Sequence, residues 1–353
     1  MKFYFGFAVL IFSAGAGAGG ETNAHPTPRT QFTLEESTGL IMPPDWREKG
    51  TFIKPALKSH QVLPLHFDWR DIAGGLTPVK NQGHCGSCWA FGTVGVMESI
   101  LKIKDGITKS FSEQYLINCA TGFLGCRGGS YAHFLHEAPG AVLESDVPYE
   151  GFKDSCEDVP HQEKLESWSY LGDRNSIPST EDIKNAIFTY GPIAVTVRAN
   201  DSWYSYPGGI WTDDDRRQSN HLVNLVGWDE TQGVWFLRNS WGGNWGEKGY
   251  MRIQYGVSRV AETATFVIYK PTCSPQPIPF VGESDTQSVN AGQSVMLGGM
   301  PVLGQTYRWD PVDGLDDPKS SSPIATPKKS TVYTLYTSSV CGSGTKTVAV
   351  GVN

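Results

Sequence analysis

Apolar positions first recur at helical spacing between Cys88 and Lys104, where Phe91, Val94, Met97, Ile100 and Leu101 share a face and Asp105-Gly106 ends the run. The pattern predicts a buried helix with Cys88 in its first turn. Gly92 and Gly95 each cost that helix about 1 kcal/mol relative to alanine, so they mark close packing against another element. A second helix is predicted from Ser110 or Ser112, where Ser110-Phe111-Ser112-Glu113 has capping-box spacing, to Cys119. A third spans about 180–190, between Ser179-Thr180-Glu181-Asp182 and the breaker Gly191-Pro192. Beyond Pro192 the pattern becomes that of strands: Ile193–Ala199, Leu222–Trp228, Val234–Arg238, Tyr250–Gln254 and Ala264–Tyr269, separated by Gly, Asp and Asn turns. A helical half is thus followed by a β half, and their junction is a natural place for a cleft.

The stretch from Pro271 to Pro279 is a stiff, proline-rich linker by composition. After it come short strands at Ser294–Leu297, Thr306–Trp309, Thr331–Tyr336 and Lys346–Val352, with turns at Asn290-Ala291-Gly292 and Asp313-Gly314, the spacing of a small β-sandwich. At the other end, Met1-Lys2, the apolar Phe3–Phe12 and Ala14-Gly15-Ala16-Gly17-Ala18 read as a secretory signal peptide over 1–18. The apolar core is too short for a membrane anchor, and no later stretch is apolar enough to span a bilayer. Residues 19–62 are rich in Pro, Thr and charge without a sustained period, as in a pro-segment.

The chain's 353 residues leave room for two domains, and a formal charge of -7 without any Lys/Arg cluster gives no footprint for nucleic acid. Seven cysteines in an exported chain imply disulfides plus one thiol left over.

The richest chemistry lies in Gln82-Gly83-His84-Cys85-Gly86-Ser87-Cys88-Trp89. A cysteine is a good nucleophile only as thiolate, so a catalytic one needs a helix N-terminus or a nearby cation. Cys88 has the helix start. His221, at the edge of an apolar strand facing the expected cleft, can supply the cation and pass its proton to a leaving amine. Asn239, just after the strand Val234–Arg238, can hold the other ring nitrogen, and Trp241 can cover that bond from water. Gln82 can point its amide beside the Cys88 N–H, giving two donors for an oxyanion. His84 adjoins the cleft but reads as a surface residue. No His/Cys cluster has metal-ligand spacing, so neither metal nor cofactor is expected.

Cys85-Gly86-Ser87-Cys88-Trp89 is the local signature of papain and the cathepsins, with His and Asn roughly 130 to 150 residues downstream. Here His221 lies 133 residues beyond Cys88 and Asn239 lies 151. Together with Phe67-Asp68-Trp69-Arg70, Val79-Lys80-Asn81-Gln82-Gly83, Ser112-Glu113-Gln114, Gly125-Cys126-Arg127-Gly128-Gly129 and Asn239-Ser240-Trp241-Gly242-Gly243-Asn244-Trp245-Gly246, the run makes residues 63–272 resemble the papain-like cysteine peptidases. The resemblance implies an α+β chain with the papain-like two-lobed fold, a helical lobe plus a β-barrel-like lobe; outside it, the strand spacing adds a small all-β sandwich over 273–353. It implies a secreted endopeptidase that acts on polypeptides through a Cys88 thioester, with His221 as general base and acid, Asn239 orienting it and Gln82 in the oxyanion hole. By the same mapping Gly128 and Gly129 bind substrate backbone, and Tyr131, Thr196, Leu222 and Thr263 wall an S2 pocket. No acidic residue maps to the base of that pocket, which implies an apolar P2 preference.

The family pattern pairs Cys85 with Cys126 and Cys119 with Cys156, leaving Cys88 free. A third bridge common in the family is missing, since neither Asp215 nor Ser258 nor their neighbours are cysteine. Cys273 and Cys341 remain for each other by arithmetic alone. Residues 19–62 are shorter than the pro-regions of the papain subgroup and lack their helical motif; a reverse-running inhibitory segment is expected around Phe52–Leu57. No occluding loop is visible, so exopeptidase activity is not expected. Tyr307-Arg308-Trp309-Asp310-Pro311 and Tyr333-Thr334-Leu335 resemble immunoglobulin-like or PKD-like repeats of secreted bacterial proteins, a module expected to bind protein or carbohydrate. The chain is expected to be a monomer, extracellular, with periplasm or a lysosome-like compartment as alternatives. Two rival functions stay open: a transpeptidase or ligase using the same acyl-enzyme, and a binding or adhesion protein whose peptidase fold is a scaffold.

Overall fold

A computed structural model describes residues 34, 38–55, 63–71, 75–271, 286–299, 306–339 and 342–353. The expected signal peptide, most of 19–37 and the cysteines at 273 and 341 lie outside the described residues. In chain order the elements are α1 (Trp46–Lys49), β1 (Phe52–Ile53), β2 (His66–Asp68), α2 (Cys88–Asp105), α3 (Glu113–Cys119), α4 (His133–Glu137), β3 (Ser167–Leu171), α5 (Thr180–Tyr190), β4 (Ile193–Val197), β5 (Ile210–Trp211), β6 (His221–Asp229), β7 (Val234–Arg238), β8 (Tyr250–Gln254) and β9 (Ala264–Ile268). The later strands are β10 (Thr286–Val289), β11 (Val295–Met296), β12 (Thr306–Asp310), β13 (Ile324–Ala325), β14 (Thr331–Ser339) and β15 (Gly342–Val352).

α2 begins at Cys88 and ends where Gly106 turns left-handed and its N–H bonds the Lys102 carbonyl. α3 is capped by Ser112, whose hydroxyl accepts from the Tyr115 N–H, so Ser112 rather than Ser110 opens the helix. α5 carries the full capping box between Ser179 and Asp182. The nine-stranded sheet has the order β1-β3-β9-β4-β6-β7-β8-β5, with β2 added against β6. Every residue of β4, β6 and β7 is buried, so these strands carry apolar side chains on both faces instead of alternating with polar ones, and the few polar residues among them, such as Asn224 and Arg238, are buried too.

Two cores result. One, around Trp89, Val94, Met97, Ile100 and Leu116, belongs to the helices; the other, around Trp69, Ile187, Val195, Leu225 and Trp228, belongs to the sheet. α2 lies directly on β6. A Cβ on Gly92 would stand 2.8 Å from Leu222, and one on Gly95 would stand 2.4 Å from Asn224 Oδ1. The two glycines are therefore what brings the helix onto the strand, and Asn224 fixes the contact by donating to the Gly92 carbonyl at 2.8 Å. Nearby, Arg238 of β7 donates to the Pro78 carbonyl at 2.7 Å, and Lys80 bonds Glu98 at 2.8 Å and Glu113 at 3.0 Å.

The helical lobe forms two disulfides, Cys85–Cys126 and Cys119–Cys156. In the β lobe, hydrogen bonds tie the loops around Asp213 and Ser258: Ser258 N–H to Asp214 Oδ1 at 3.0 Å, Ser258 Oγ to the Asp213 carbonyl at 2.7 Å and Trp211 Nε1 to Ser258 Oγ at 3.2 Å. Beyond residue 270 a four-stranded sheet ordered β10-β15-β14-β12 and a two-stranded sheet of β11 and β13 enclose Trp309, Tyr333, Leu335, Val348 and Val350. No helix among the described residues is long and apolar enough to cross a membrane.

Candidate active site

The site forms where α2 meets β6. Cys88 opens the helix and is fully buried. His221 opens β6 and is also fully buried. Asn239 directly follows β7, the partner of β6 in the sheet, which brings it beside the histidine. Its Oδ1 already accepts the Ser240 N–H at 2.9 Å, which identifies that atom as the amide oxygen. The 2.8 Å contact between His221 Nε2 and Asn239 Oδ1 therefore has the imidazole as donor, and Nδ1 is left as the basic nitrogen. That Nδ1 has no partner among the described residues. Trp241 stacks on the ring at 5.1 Å, and Trp203 meets it edge-on at 6.3 Å.

Burial pushes the Cys88 thiol up to about 12, opposed by the backbone amides of Leu222 and Trp89. Burial likewise pushes His221 down to about 4, opposed by its bond to Asn239. In this covered form burial disfavours the charged form of both groups. Cys88 and Leu222, one residue after His221, share one core cluster.

Gln82 is buried; its backbone N–H bonds the Ser240 carbonyl at 2.9 Å, its Oε1 accepts the Ser240 hydroxyl at 2.6 Å, and its Nε2 rests on the Cys85 carbonyl at 2.9 Å. The four residues expected to wall one pocket also come together. Tyr131 donates to the Thr263 carbonyl at 2.9 Å, Thr263 N–H bonds Thr196 Oγ1 at 3.2 Å, and Leu222 lies opposite Thr196 in the β4–β6 ladder.

Residues 38–42 occupy the groove over these groups. Leu40 bridges Gly129 in parallel, with Ile41 N–H to the Gly129 carbonyl at 2.7 Å and Gly129 N–H to the Gly39 carbonyl at 2.9 Å. Gly39 presses so closely on Gly86 that a Cβ there would stand 2.0 Å from the Gly86 oxygen. The Leu40 side chain joins the core cluster that holds Tyr131, Leu222 and Cys88. The expectation of a reverse-running segment around Phe52–Leu57 is corrected on this point. Phe52 lies instead in β1, parallel to β3, with its ring stacked on Tyr170 at 5.1 Å and beside Trp46. The passage over Gly86 admits a glycine, not a phenylalanine.

Sequence reading missed Ser240, Tyr149 and Ser87 around Gln82, and the ion pair of Arg259 with Glu262 at 2.5 Å. That pair lines a cavity of about 290 Å³ together with Met42, Trp46, Thr196 and Thr263. A hydroxyl or charge that acts through another residue leaves no motif of its own, whereas Cys88 and His221 stand in runs that mark them.

Residues 63–270 match the family described as papain family cysteine protease. Cathepsin L of Sarcophaga peregrina is 35% identical over 249 residues, covering 67% of this chain and 69% of that one. Ananain of Ananas comosus is 35% identical over 256 residues, covering 67% and 70%. Among solved structures, the digestive procathepsin L2 proteinase from Tenebrio molitor larval midgut aligns with a TM-score of 0.61 at 35% identity, covering 67% of this chain and 80% of that one. The Carica candamarcensis cysteine protease CMS1MS2 in complex with E-64 aligns with a TM-score of 0.53 at 32% identity, covering 59% and 99%. With two lobes of this fold and a family match over most of its length, the chain belongs to the papain family of cysteine proteases and is a cysteine endopeptidase.

Proposed function

We propose that the chain hydrolyses peptide bonds with Cys88 as nucleophile, His221 as general base and acid, Asn239 as the group that orients His221, and Gln82 with the Cys88 N–H as oxyanion donors. The observation that carries this reading is the His221 Nε2–Asn239 Oδ1 bond of 2.8 Å, which reserves Nδ1 for the thiol proton. Once the groove is open, Nδ1 takes the Sγ proton and the imidazolium holds the thiolate. Sγ attacks the substrate carbonyl carbon, and the carbonyl π pair moves to the oxygen facing Gln82 Nε2 and the Cys88 N–H. As the tetrahedral adduct collapses, the C–N bond breaks and His221 Nδ1–H protonates the leaving amine. A water then gives a proton to Nδ1 and attacks the thioester carbon; as this second adduct collapses the C–S bond breaks, the acid leaves, and the Cys88 thiolate is restored beside the protonated His221. Trp241 keeps water off the Nε2–Oδ1 bond, so the ring holds one tautomer through the cycle.

Residues 19–62 act in this reading as an inhibitory pro-segment, with 38–42 as the plug. Its parallel pairing with Gly129 supports a backbone presented against the substrate's direction, so that no scissile bond meets Cys88. Leu40 in the cluster of Tyr131 and Leu222 supports an apolar P2 side chain. The ion pair with Arg259 neutralises Glu262, so it offers no free charge to a basic P2 group. Residues 1–18 direct secretion, and 273–353 form an immunoglobulin-like or PKD-like sandwich that binds protein or carbohydrate; the shared core of Trp309, Tyr333 and Leu335 supports one module. The enzyme works as a monomer.

The deciding experiment is alkylation by an active-site thiol reagent followed by peptide mapping. Label on Cys88 alone, with activity abolished in Cys88→Ala, is the expected result; activity surviving in that variant overturns the mechanism. Products carrying an added amine instead of water mark a transpeptidase, and strong preference for arginine at P2 overturns the pocket reading. For the plug, Gly39→Val is expected to leave the untrimmed chain active, whereas the unaltered precursor is latent.

A further inference from the structure

We propose that Tyr149 is a positioning residue for the oxyanion site, its hydroxyl joining the two ends of the loop that carries the Gln82 amide and leads into the Cys88 N–H. The inference rests on the oxyanion role proposed above for Gln82. Tyr149 Oη lies 2.7 Å from the Gln82 carbonyl oxygen and 2.9 Å from Ser87 Oγ. A carbonyl can only accept, so the phenolic proton points to Gln82, and in the shorter of its two contacts, 2.9 Å to Oη against 3.3 Å to the Cys85 carbonyl, the Ser87 hydroxyl is the donor. Ser87 is the residue before Cys88, and its own N–H bonds the Cys85 carbonyl at 2.7 Å. One hydroxyl thus spans the loop from residue 82 to residue 87.

The tyrosine is itself held. Its N–H bonds Glu144 Oε1 at 2.9 Å, its ring meets Phe91 of α2 edge-on at 5.0 Å, and the next two amides, of Glu150 and Gly151, bond Gln114 Oε1 at 2.9 and 3.2 Å. Burial raises the phenol well above its ordinary value, so it stays a donor throughout the working pH range. From the opposite lobe, Ser240 grips the Gln82 side chain at 2.6 Å and its N–H at 2.9 Å. Gln82 is therefore clamped from both sides of the groove: Ser240 holds its side chain and its N–H, and Tyr149 holds its carbonyl. An oxyanion donor must meet an oxygen that exists only in the transition state, so small errors in this backbone cost rate rather than substrate affinity.

The test uses the trimmed enzyme and Tyr149→Phe, which keeps the ring and removes only the oxygen. Three readouts are compared: kcat and KM on a peptide amide; affinity for a peptide aldehyde, in which Sγ adds to the carbonyl carbon and the π pair moves to oxygen; and the rate of alkylation by iodoacetamide, which forms no oxyanion. The expected result is a loss of about tenfold in kcat and in aldehyde affinity, with KM and alkylation each within about twofold. Equal losses in alkylation and kcat would mean general distortion and overturn the proposal, as would no loss at all. Should Tyr149→Phe fail to fold, Ser87→Ala removes the second link and is expected to give the same split at smaller size; a split absent there overturns the proposal too. Gln82→Ala serves as reference, expected to lose about 10²-fold in aldehyde affinity. If it loses nothing, the oxyanion reading fails and Tyr149 with it; if it loses and Tyr149→Phe does not, only the Tyr149 inference falls.

Discussion

The two lobes that meet at the groove hold their working residues by different means. The helical lobe carries Cys88 and Gln82 on a loop and a helix start, and staples that loop through Cys85–Cys126 with a second bridge behind it. The β lobe carries His221 and Asn239 at strand ends, has no bridge among the described residues, and relies on ladder register, the Trp203–Trp241–Trp245 cluster and the hydrogen bonds of Ser258. A loop has no register of its own, so it needs a covalent brace. A sheet inherits register from its neighbours, and a few hydrogen bonds suffice to tie the loop at Ser258.

The largest test of this division removes one chemical group from each lobe. Cys88→Ala and His221→Ala are each expected to reduce kcat/KM on the order of 10⁴-fold or more, and the double variant scarcely further, because the two act as one unit. Additive losses in steady-state kinetics would break the pairing across the groove. Next in size, Cys85→Ser with Cys126→Ser is expected to cost about 2–5 kcal/mol in denaturant unfolding and to reduce activity as well, since it frees the oxyanion loop. Loss of stability with full activity would show that the bridge braces the lobe but not the site.

Acid should act unequally on the lobes. Burial pushes His133 and His136 down to about 3 and His221 down to about 4. The unfolded chain binds protons at these positions below its ordinary value near 6.5, while the native state refuses them until pH 3–4. Their contribution to stability is full above 6.5 and is lost as pH falls toward the folded values, at up to about 1.4 kcal/mol per pH unit for each histidine. Since two of the three lie on α4, hydrogen exchange in a Cys88→Ala chain should show the helical lobe losing protection first between pH 6.5 and 4. The reverse order would break the comparison. The smallest effect belongs to Ser258→Ala, expected to cost about 1 kcal/mol in thermal unfolding and to leave kcat unchanged.

The long periodic elements were legible in advance. The helix over Cys88–Lys104, the strands after Pro192 and the start of α5 at the Ser179 box all lie within a few residues of their predicted bounds, because each rests on a sustained apolar period or a cap. The short pieces were not. β2 and β5 are strands of three and two residues and α4 spans five, too few positions for a period to declare itself, while β3, as long as β4, alternates serine with aromatics instead of running apolar. Phe52 was misplaced for a related reason. An aromatic in an irregular stretch reads as an anchor, and only the steric limit at Gly86 shows that the anchor sits on Tyr170 while a glycine takes the groove.

The amino-acid sequence alone singled out Cys88, His221 and Asn239 for the proposed roles of nucleophile, base and orienting amide, because chemistry demands those residue types and the family spacing marks them. It also determined which cysteine stays free beside two bridges in the described structure. Tertiary structure alone decided which imidazole nitrogen is the base, what covers the thiol, and that Tyr149 and Ser240 clamp Gln82 from opposite lobes. Those are matters of distance between residues far apart in the chain, and distance is set by how α2 packs on β6, not by any local run of residues.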